Sequence, residues 1–297
     1  MNLLITGAWQ QAKLYMPELE KMGHHVQFLQ FEKDELPCPY EWVEGIIGNG
    51  IFLSHPIEKF SNLRYIQLTS AGFDRVPMDY VKAHGIIIHN ARGVYSVPMA
   101  EYAIAGVLSL YKEQRFFTQK QGEHTWEKRR DLRELLGRKV CILGCGSVGT
   151  ECAKRLEAFG CTVLGVDITT GERKYFSRMY HLDHVTDALS VSDIIIITLP
   201  LTEQTFHLVN QDFLSSVKAG AILVNIARGA LIDTPALTLA LKEKLGGAVL
   251  DVFEEEPLGE SPLWDMDHVI ITPHNSFVGD GNGQRMSQVI MENLEKC

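Results

Sequence analysis

The stretch Lys139-Val-Cys-Ile-Leu-Gly-Cys-Gly-Ser-Val-Gly149 decides the fold. Val140, Ile142 and Leu143 read as a buried strand that breaks at Gly144. Gly144, Gly146 and Gly149 then stand at the G-x-G-x-x-G spacing, in which a tight turn, a bare backbone approach and a close helix-to-strand contact each exclude a side chain. The apolar period of Val148, Cys152, Leu156 and Phe159 predicts a helix, and residues 162–166 predict a second strand closing on Asp167. A helix starting at such a turn aims free backbone N–H groups at whatever occupies it, so a pyrophosphate is the expected guest. Asp167 lies 18 positions past the last glycine (167 − 149), where a carboxylate accepts both hydroxyls of an adenosine ribose. Three glycines at these offsets recur by chance in Gly-rich loops; the strand before and the helix after make this pattern specific.

Working outward, 297 residues allow two domains of ordinary size. An apolar content of 45 % with 22 % charged residues is that of a compact globular chain. A net charge of −9 speaks against a nucleic-acid partner, which requires a basic face. No apolar run reaches spanning length, and Met1-Asn-Leu-Leu-Ile-Thr-Gly7 enters a strand directly, without a basic segment or a cleavage site. A cytoplasmic location without a membrane partner is therefore expected. Cysteines at 38, 141, 145, 152, 161 and 297 fit no metal spacing, so free thiols and no metal site are expected. Cys145, inside the glycine turn, is either a handle for thiol reagents or a small filler, and reads as the filler.

The first hundred residues alternate short apolar strands (3–6, 26–29, 45–50, 65–68, 86–89) with helical or turn segments, the pattern of a parallel sheet covered on both faces. After the fourth strand, Thr69-Ser-Ala-Gly-Phe-Asp74 either offers backbone N–H groups to an anion at Gly72 or makes a plain turn. Asn90-Ala-Arg-Gly-Val-Tyr-Ser96 leads, through Pro98, into a helix over 99–111. Residues 112–134 are polar, with Phe116, Phe117, Trp126 and Leu132 set among charges. An arm packed on a second subunit and a solvent-facing extension both look like this; the apolar anchors favour subunit contact. Beyond Asp167, residues 169–178 read as loop and 182–189 as a short helix. Strands follow at 194–199, 221–225, 248–252 and 269–272, with a helix over 231–245, giving six strands between 139 and 272. Residues 284–294 form an amphipathic helix returning to the first domain.

Three polar residues each stand just beyond a strand of the second region: Arg228, Glu256 and His274. Strand ends on that side form the crevice of an open α/β sheet, so residues distant in sequence converge there. Arginine is the planar, two-pronged partner of a carboxylate, and a histidine oriented by a carboxylate is the usual proton donor and acceptor at neutral pH. Taken singly, each would be an ordinary surface residue or cap. Jointly, beside a nicotinamide, they describe hydride transfer to a carbonyl next to a carboxylate.

Over essentially its whole length the chain resembles the D-isomer-specific 2-hydroxyacid dehydrogenase family. The matching stretches are the Gly144 to Gly149 loop, Leu199-Pro-Leu-Thr-Glu203, Gly220-Ala-Ile-Leu-Val-Asn-Ile-Ala-Arg-Gly229, Leu250-Asp-Val-Phe-Glu-Glu-Glu-Pro257 and Thr272-Pro-His274. The resemblance implies two Rossmann-like parallel-sheet domains: a flavodoxin-like catalytic domain at 1–97 and 275–297, and a doubly wound NAD-binding domain at 98–274. It implies Arg228, Glu256 and His274 as catalytic residues, with Arg228 and the backbone of Ala71 and Gly72 holding the substrate carboxylate. NAD is then expected to meet Gly144, Gly146, Ser147, Val148, Gly149 and Asp167 at one end, and Leu199, Pro200, Ala227, Asp251 and His274 towards the nicotinamide. A homodimer acting on a small 2-oxo or 2-hydroxy acid is implied as well. Departures from the family pattern are Asn275-Ser-Phe-Val-Gly279, where Phe277 replaces a small residue, and Met99 in the first hinge. Two other readings stay open: a glyoxylate or hydroxypyruvate reductase using NADPH, and a non-catalytic sensor of the nicotinamide redox state. The retained Arg228, Glu256 and His274 count against the sensor.

Overall fold

The computed structural model describes residues 1–296, and the chain divides into two compact units, Met1–Tyr95 with the C-terminal segment from Gly279, and Ser96–Val278. In the first unit, β1 (Asn2–Thr6), α1 (Ala12–Lys21), β2 (His25–Leu29), β3 (Gly45–Gly48), β4 (Tyr65–Leu68), α2 (Met78–Ala83) and β5 (Ile87–His89) build a parallel sheet in the order β2-β1-β3-β4-β5. Strand β1 shows why both faces are covered. Leu4 packs with Ile46 and Ile66 on one side, whereas Leu3 and Ile5 pack with Ile47 and Tyr65 on the other. Successive strand residues point to opposite faces, so a strand apolar at every position needs two cores.

The second unit starts with α3 (Ser96–Tyr111) and α4 (Gln114–Gly122). It continues through β6 (Lys139–Leu143), α5 (Ser147–Ala158), β7 (Thr162–Asp167), β8 (Arg178–His181), α6 (Val185–Leu189) and β9 (Ile194–Ile197). Then come α7 (Gln211–Ser216), β10 (Ile222–Asn225), α8 (Thr234–Glu243), β11 (Gly247–Leu250) and β12 (Val269–Ile271). Its parallel sheet runs β12-β11-β10-β9-β6-β7-β8, so the order reverses between β6 and β9, where Cys141 pairs with Ile195. The four isoleucines of β9 are at most 1 % exposed. Each contributes about 2 kcal/mol on leaving water. Ile194 and Ile196 join the core under α3 and α5, whereas Ile195 and Ile197 join that under α7 and α8. The chain returns to the first unit as α9 (Asn282–Leu294), whose Met286, Ile290 and Leu294 pack on Leu3, Ile5 and Trp9.

The sheet holds seven strands among the described residues instead of six. The additional one is β8, which starts at the end of the stretch 169–178 that reads as loop and fills residues to which the sequence assigns no element. It is an edge strand paired only with β7, and its Arg178-Met-Tyr-His181 is half-exposed, so it carries no apolar run to betray it. Residues 114–122, read as part of an arm, are helical in α4, with no buried residue. Helix α8 begins at Thr234 and not at 231, because Asp233 caps it by accepting a hydrogen bond from the Ala236 N–H at 3.1 Å, with Pro235 in the first turn. Strand β3 stops at Gly48, short of the expected Gly50, as Asn49 and Gly50 turn their N–H groups onto Glu32. Among the described residues, no helix is long and apolar enough to cross a membrane, and no group of three or more His, Cys, Asp or Glu stands placed for a metal ion. Cys297 lies outside the described residues.

Candidate active site

Each glycine of the β6 to α5 turn has its own reason. Gly144 sits at φ +91°, and a Cβ there would lie 2.9 Å from the backbone of Thr198 and Leu199. At Gly149 a Cβ would stand 2.2 Å from the Gly144 carbonyl oxygen, so this contact tolerates hydrogen alone. Gly146 meets nothing within 4 Å in that direction, which leaves its backbone open to close approach by a ligand. It is the N-cap of α5 and carries no side-chain cap, so the first-turn N–H groups of Ser147, Val148 and Gly149 have no partner within the helix. That combination fits a pyrophosphate. Thr198, just past β9, donates its hydroxyl to the Leu143 carbonyl at 3.1 Å and to that of Gly144 at 2.5 Å, which ties the segment bearing Leu199 and Pro200 to the glycine turn.

Asp167, at the end of β7, turns its carboxylate back on the same turn. It accepts from the Cys145 N–H and the Ile168 N–H, both at 2.8 Å, and from Arg173 at 3.1 Å. Arg173 also donates to the Cys145 carbonyl at 2.5 Å and to the Thr169 hydroxyl. The ribose-facing carboxylate anticipated from sequence therefore arrives paired with a guanidinium. Cys145 is buried, its Sγ 3.7 Å from the Ile142 and Val166 carbonyls, and burial, reinforced by the Asp167 charge, pushes its thiol up to about 12. It is a filler and not a reactive handle.

At the other end of the crevice stand the loops beyond β10, β11 and β12. Asn225 closes β10 by accepting from the Ala227 N–H at 3.1 Å and donating to the Arg228 carbonyl at 2.9 Å. Arg228 Nη1 reaches the Ala227 carbonyl at 2.7 Å. Gly229 is compulsory: a Cβ would fall 1.8 Å from the Phe253 carbonyl carbon, so the backbone after Arg228 lies against the loop after β11. In that loop Glu256 accepts from the Phe253 N–H at 3.0 Å with one oxygen, and its other oxygen lies 2.8 Å from His274 Nδ1. His274 occupies the left-handed region at φ +51°, a conformation uncommon for a non-glycine residue that persists only where the surroundings impose it.

Asp251 imposes it. Its carbonyl accepts from the His274 N–H at 2.7 Å, while its fully buried carboxylate accepts from the Thr272 hydroxyl at 2.7 Å, the Asn275 N–H at 2.8 Å and the Ser276 N–H at 2.9 Å. The sequence resemblance sets Asp251 towards the nicotinamide, and in the structure the same residue organises the His274 turn. Phe277 packs its ring edge-on to His274 at a centroid distance of 6.0 Å.

Glu256 and His274 are thus in direct contact, with Arg228 on the adjoining loop. Ala71 and Gly72 belong to the other unit, in the loop after β4. Side chains hold the carbonyls of that loop: Tyr95 donates to Thr69 O at 2.5 Å, Ser70 to Gly72 O at 3.0 Å and Asn90 to Ala71 O at 2.5 Å. Sequence reading singled out neither Asn90 nor Tyr95. The available signal was an asparagine set immediately after a strand, where side-chain to backbone hydrogen bonds shape loops.

Comparison with known proteins agrees with this geometry. The D-isomer specific 2-hydroxyacid dehydrogenase NAD binding domain matches residues 104–276. A glyoxylate reductase of Pyrococcus horikoshii is 34 % identical over 260 residues, covering 82 % of this chain and 77 % of that one. The crystal structure of a D-isomer specific 2-hydroxyacid dehydrogenase family protein from Aeromonas salmonicida superposes with a TM-score of 0.84 at 30 % identity, over 99 % of this chain and 94 % of the other. A D-isomer specific 2-hydroxyacid dehydrogenase from Xanthobacter autotrophicus, solved with NADPH and MES, gives 0.80 at 27 % identity over the same shares. With the glycine turn, the seven-stranded parallel sheet and the His274–Glu256 contact in place, the chain belongs to the D-isomer-specific 2-hydroxyacid dehydrogenase family and is an oxidoreductase that interconverts 2-oxo and 2-hydroxy acids with a nicotinamide dinucleotide of the NAD(P) type.

Proposed function

We propose that the chain reduces a small 2-oxo acid of the glyoxylate or hydroxypyruvate class to its D-2-hydroxy acid, and oxidises it in reverse, with Arg228, Glu256 and His274 as catalytic residues. The observation that carries this reading is the 2.8 Å contact between His274 Nδ1 and Glu256 on loops leaving adjacent strands. With Nδ1 engaged, Nε2 is the nitrogen that exchanges a proton with the substrate oxygen. The bound dinucleotide supplies the hydride that adds to C2. His274 protonates the carbonyl oxygen, Glu256 keeps the ring oriented, and Arg228 holds the carboxylate and polarises the carbonyl. The glyoxylate reductase relative supports a small substrate, and Phe277 at the ring edge of His274 supports a restricted one. Loss of NADH or NADPH absorbance over a panel of 2-oxo acids tests this: the highest kcat/KM is expected with glyoxylate or hydroxypyruvate. Tight cofactor binding without turnover of any member would make the chain a sensor instead.

The order β2-β1-β3-β4-β5 supports a flavodoxin-like catalytic domain from residues 1–97 and 275–297, and β12-β11-β10-β9-β6-β7-β8 supports a doubly wound cofactor domain from 98–274. Asp167 supports NAD as the preferred cofactor, because its carboxylate repels the additional phosphate of NADP. The Arg173 guanidinium 3.1 Å from Asp167 favours a second reading, in which it swings onto that phosphate and NADPH is used. We further propose a homodimer through the segment after α4, where Trp126 is 95 % and Leu136 72 % exposed. The free thiols at 38, 141, 145, 152 and 161 support a reducing, cytoplasmic location.

A further inference from the structure

The loops beyond β9, β10 and β11 meet at a second carboxylate that the reaction does not use. Glu254 lies two residues before Glu256. One of its oxygens contacts His207 Nε2 at 2.5 Å, and the other accepts from the Thr234 N–H at 3.1 Å and from the Thr234 hydroxyl. His207 sits beyond β9 at φ +48°, the same uncommon region as His274, and Phe206 stacks on its ring at 4.0 Å and 16°. The backbone N–H of His207 donates to the Ala230 carbonyl at 2.9 Å, and that of Val209 to Leu231 at 3.0 Å, so the segment also grips the chain just after Arg228. Burial works against charge on Glu254, but hydrogen bonds from Thr234 and His207 outweigh it and hold the carboxyl below its ordinary range. A non-glycine residue held left-handed, with its side chain clamped on both sides, marks a position that the surrounding structure dictates.

We infer that His207 and Glu254 are a positioning pair: their contact sets the loop from Phe253 to Glu256, and through Glu256 the orientation of the His274 ring. This rests on the reading of Glu256 and His274 as the acid/base pair. The backbone of Phe253 is the physical link, because it lies against Gly229 on one side and donates its N–H to Glu256 on the other. A misplacement of about an ångström at the reacting centre costs on the order of 100-fold in rate.

The test is steady-state reduction of glyoxylate by the full-length enzyme. His207→Ala should lower kcat about 10- to 100-fold, leave KM and cofactor Kd within about twofold, and raise the primary deuterium isotope effect on hydride transfer. His207→Gln, which keeps a donor near Nε2, should recover activity to within about threefold of wild type. In a Glu256→Gln background, His207→Ala should add less than about twofold, since the residue through which it acts has already been altered. Should His207→Ala fold poorly, Thr234→Val, which removes only the hydroxyl from Glu254, carries the same set of measurements with a smaller fall in kcat. Unchanged kcat, an absence of rescue by glutamine, or losses that multiply fully with Glu256→Gln would each overturn the inference. If Glu256→Gln alone leaves turnover intact, the acid/base reading fails instead, so the two failures are distinguishable.

Discussion

The two sheets answer the same topological problem in opposite ways. In each, the first strand runs into a glycine turn and the second ends near a carboxylate that reaches back towards it. In the first unit the crevice is filled from within. A Cβ on Gly7 would meet the Gln30 carbonyl at 2.3 Å, Trp9 is buried behind it with its indole N–H on Ser287 at 2.9 Å, and Glu32 accepts from Thr6, Asn49 and Gly50 at 2.9, 2.6 and 2.7 Å. In the second unit the corresponding turn keeps Gly146 open, and Asp167 faces Arg173 as well as the turn. Strand order alone does not make a nucleotide site; the side chains that fill or leave the switch point do.

The largest effect should come from the proposed acid/base residue, His274. His274→Asn is expected to lower kcat in both directions by about 10²- to 10⁴-fold while cofactor Kd changes little, checked by single-turnover kinetics beside fluorescence titration of NADH. Reduction consumes a proton and oxidation releases one, so the wild-type rates of the two directions should trend oppositely with pH. Arg228→Lys keeps the charge but loses the planar fork, with an expected loss of about 2 to 5 kcal/mol in kcat/KM. Wild-type efficiency in that variant would remove Arg228 from the substrate site.

The glycine pair sharpens the contrast directly. Gly7→Ala and Gly149→Ala each force a methyl group to within 2.3 and 2.2 Å of a carbonyl oxygen, so both should lose about 1 to 3 kcal/mol of stability by thermal or urea unfolding. Only Gly149→Ala should also weaken cofactor binding, by 10-fold or more. Equal effects on cofactor Kd would mean that the two turns are not functionally distinct. At the ribose end, Asp167→Ala with Arg173 retained should shift the ratio of kcat/KM towards NADPH by about 10- to 150-fold, for the loss of about 1.5 to 3 kcal/mol of charged hydrogen bonding. An unmoved ratio would take Asp167 out of cofactor selection.

The smallest effect belongs to Cys145. Because its thiol is pushed up to about 12, the neutral form dominates at pH 7, and thiol reagents should leave both Cys145 and cofactor affinity unchanged in the folded protein. Stoichiometric labelling of Cys145 under native conditions, followed by mass spectrometry, would show that the turn opens far more readily than its burial allows.

The local chemistry was legible in the residue order itself. Glycine spacing, apolar runs such as Ile194 to Ile197 and the single residues beyond strand ends are short-range constraints, and the chain writes them in consecutive or evenly spaced positions. Hence Gly144, Gly149, Arg228, Glu256 and His274 could be named before any fold was seen. Strand β8 could not, because an edge strand of Arg178-Met-Tyr-His181 satisfies its neighbour through backbone groups that every residue carries. The work of Asp251, Glu254 and His207 was equally hidden. Asp251 holds residues 272 to 276 and Glu254 reaches residues 207 and 234, partners selected by which strands lie side by side and not by any repeat along the chain. The sequence by itself determined which chemical groups exist and which elements carry them. Only the tertiary structure decided which carboxylate holds the His274 turn and which one holds the loop before Glu256, because hydrogen-bond partnership over an ångström or two is a property of packed loops at one end of a sheet.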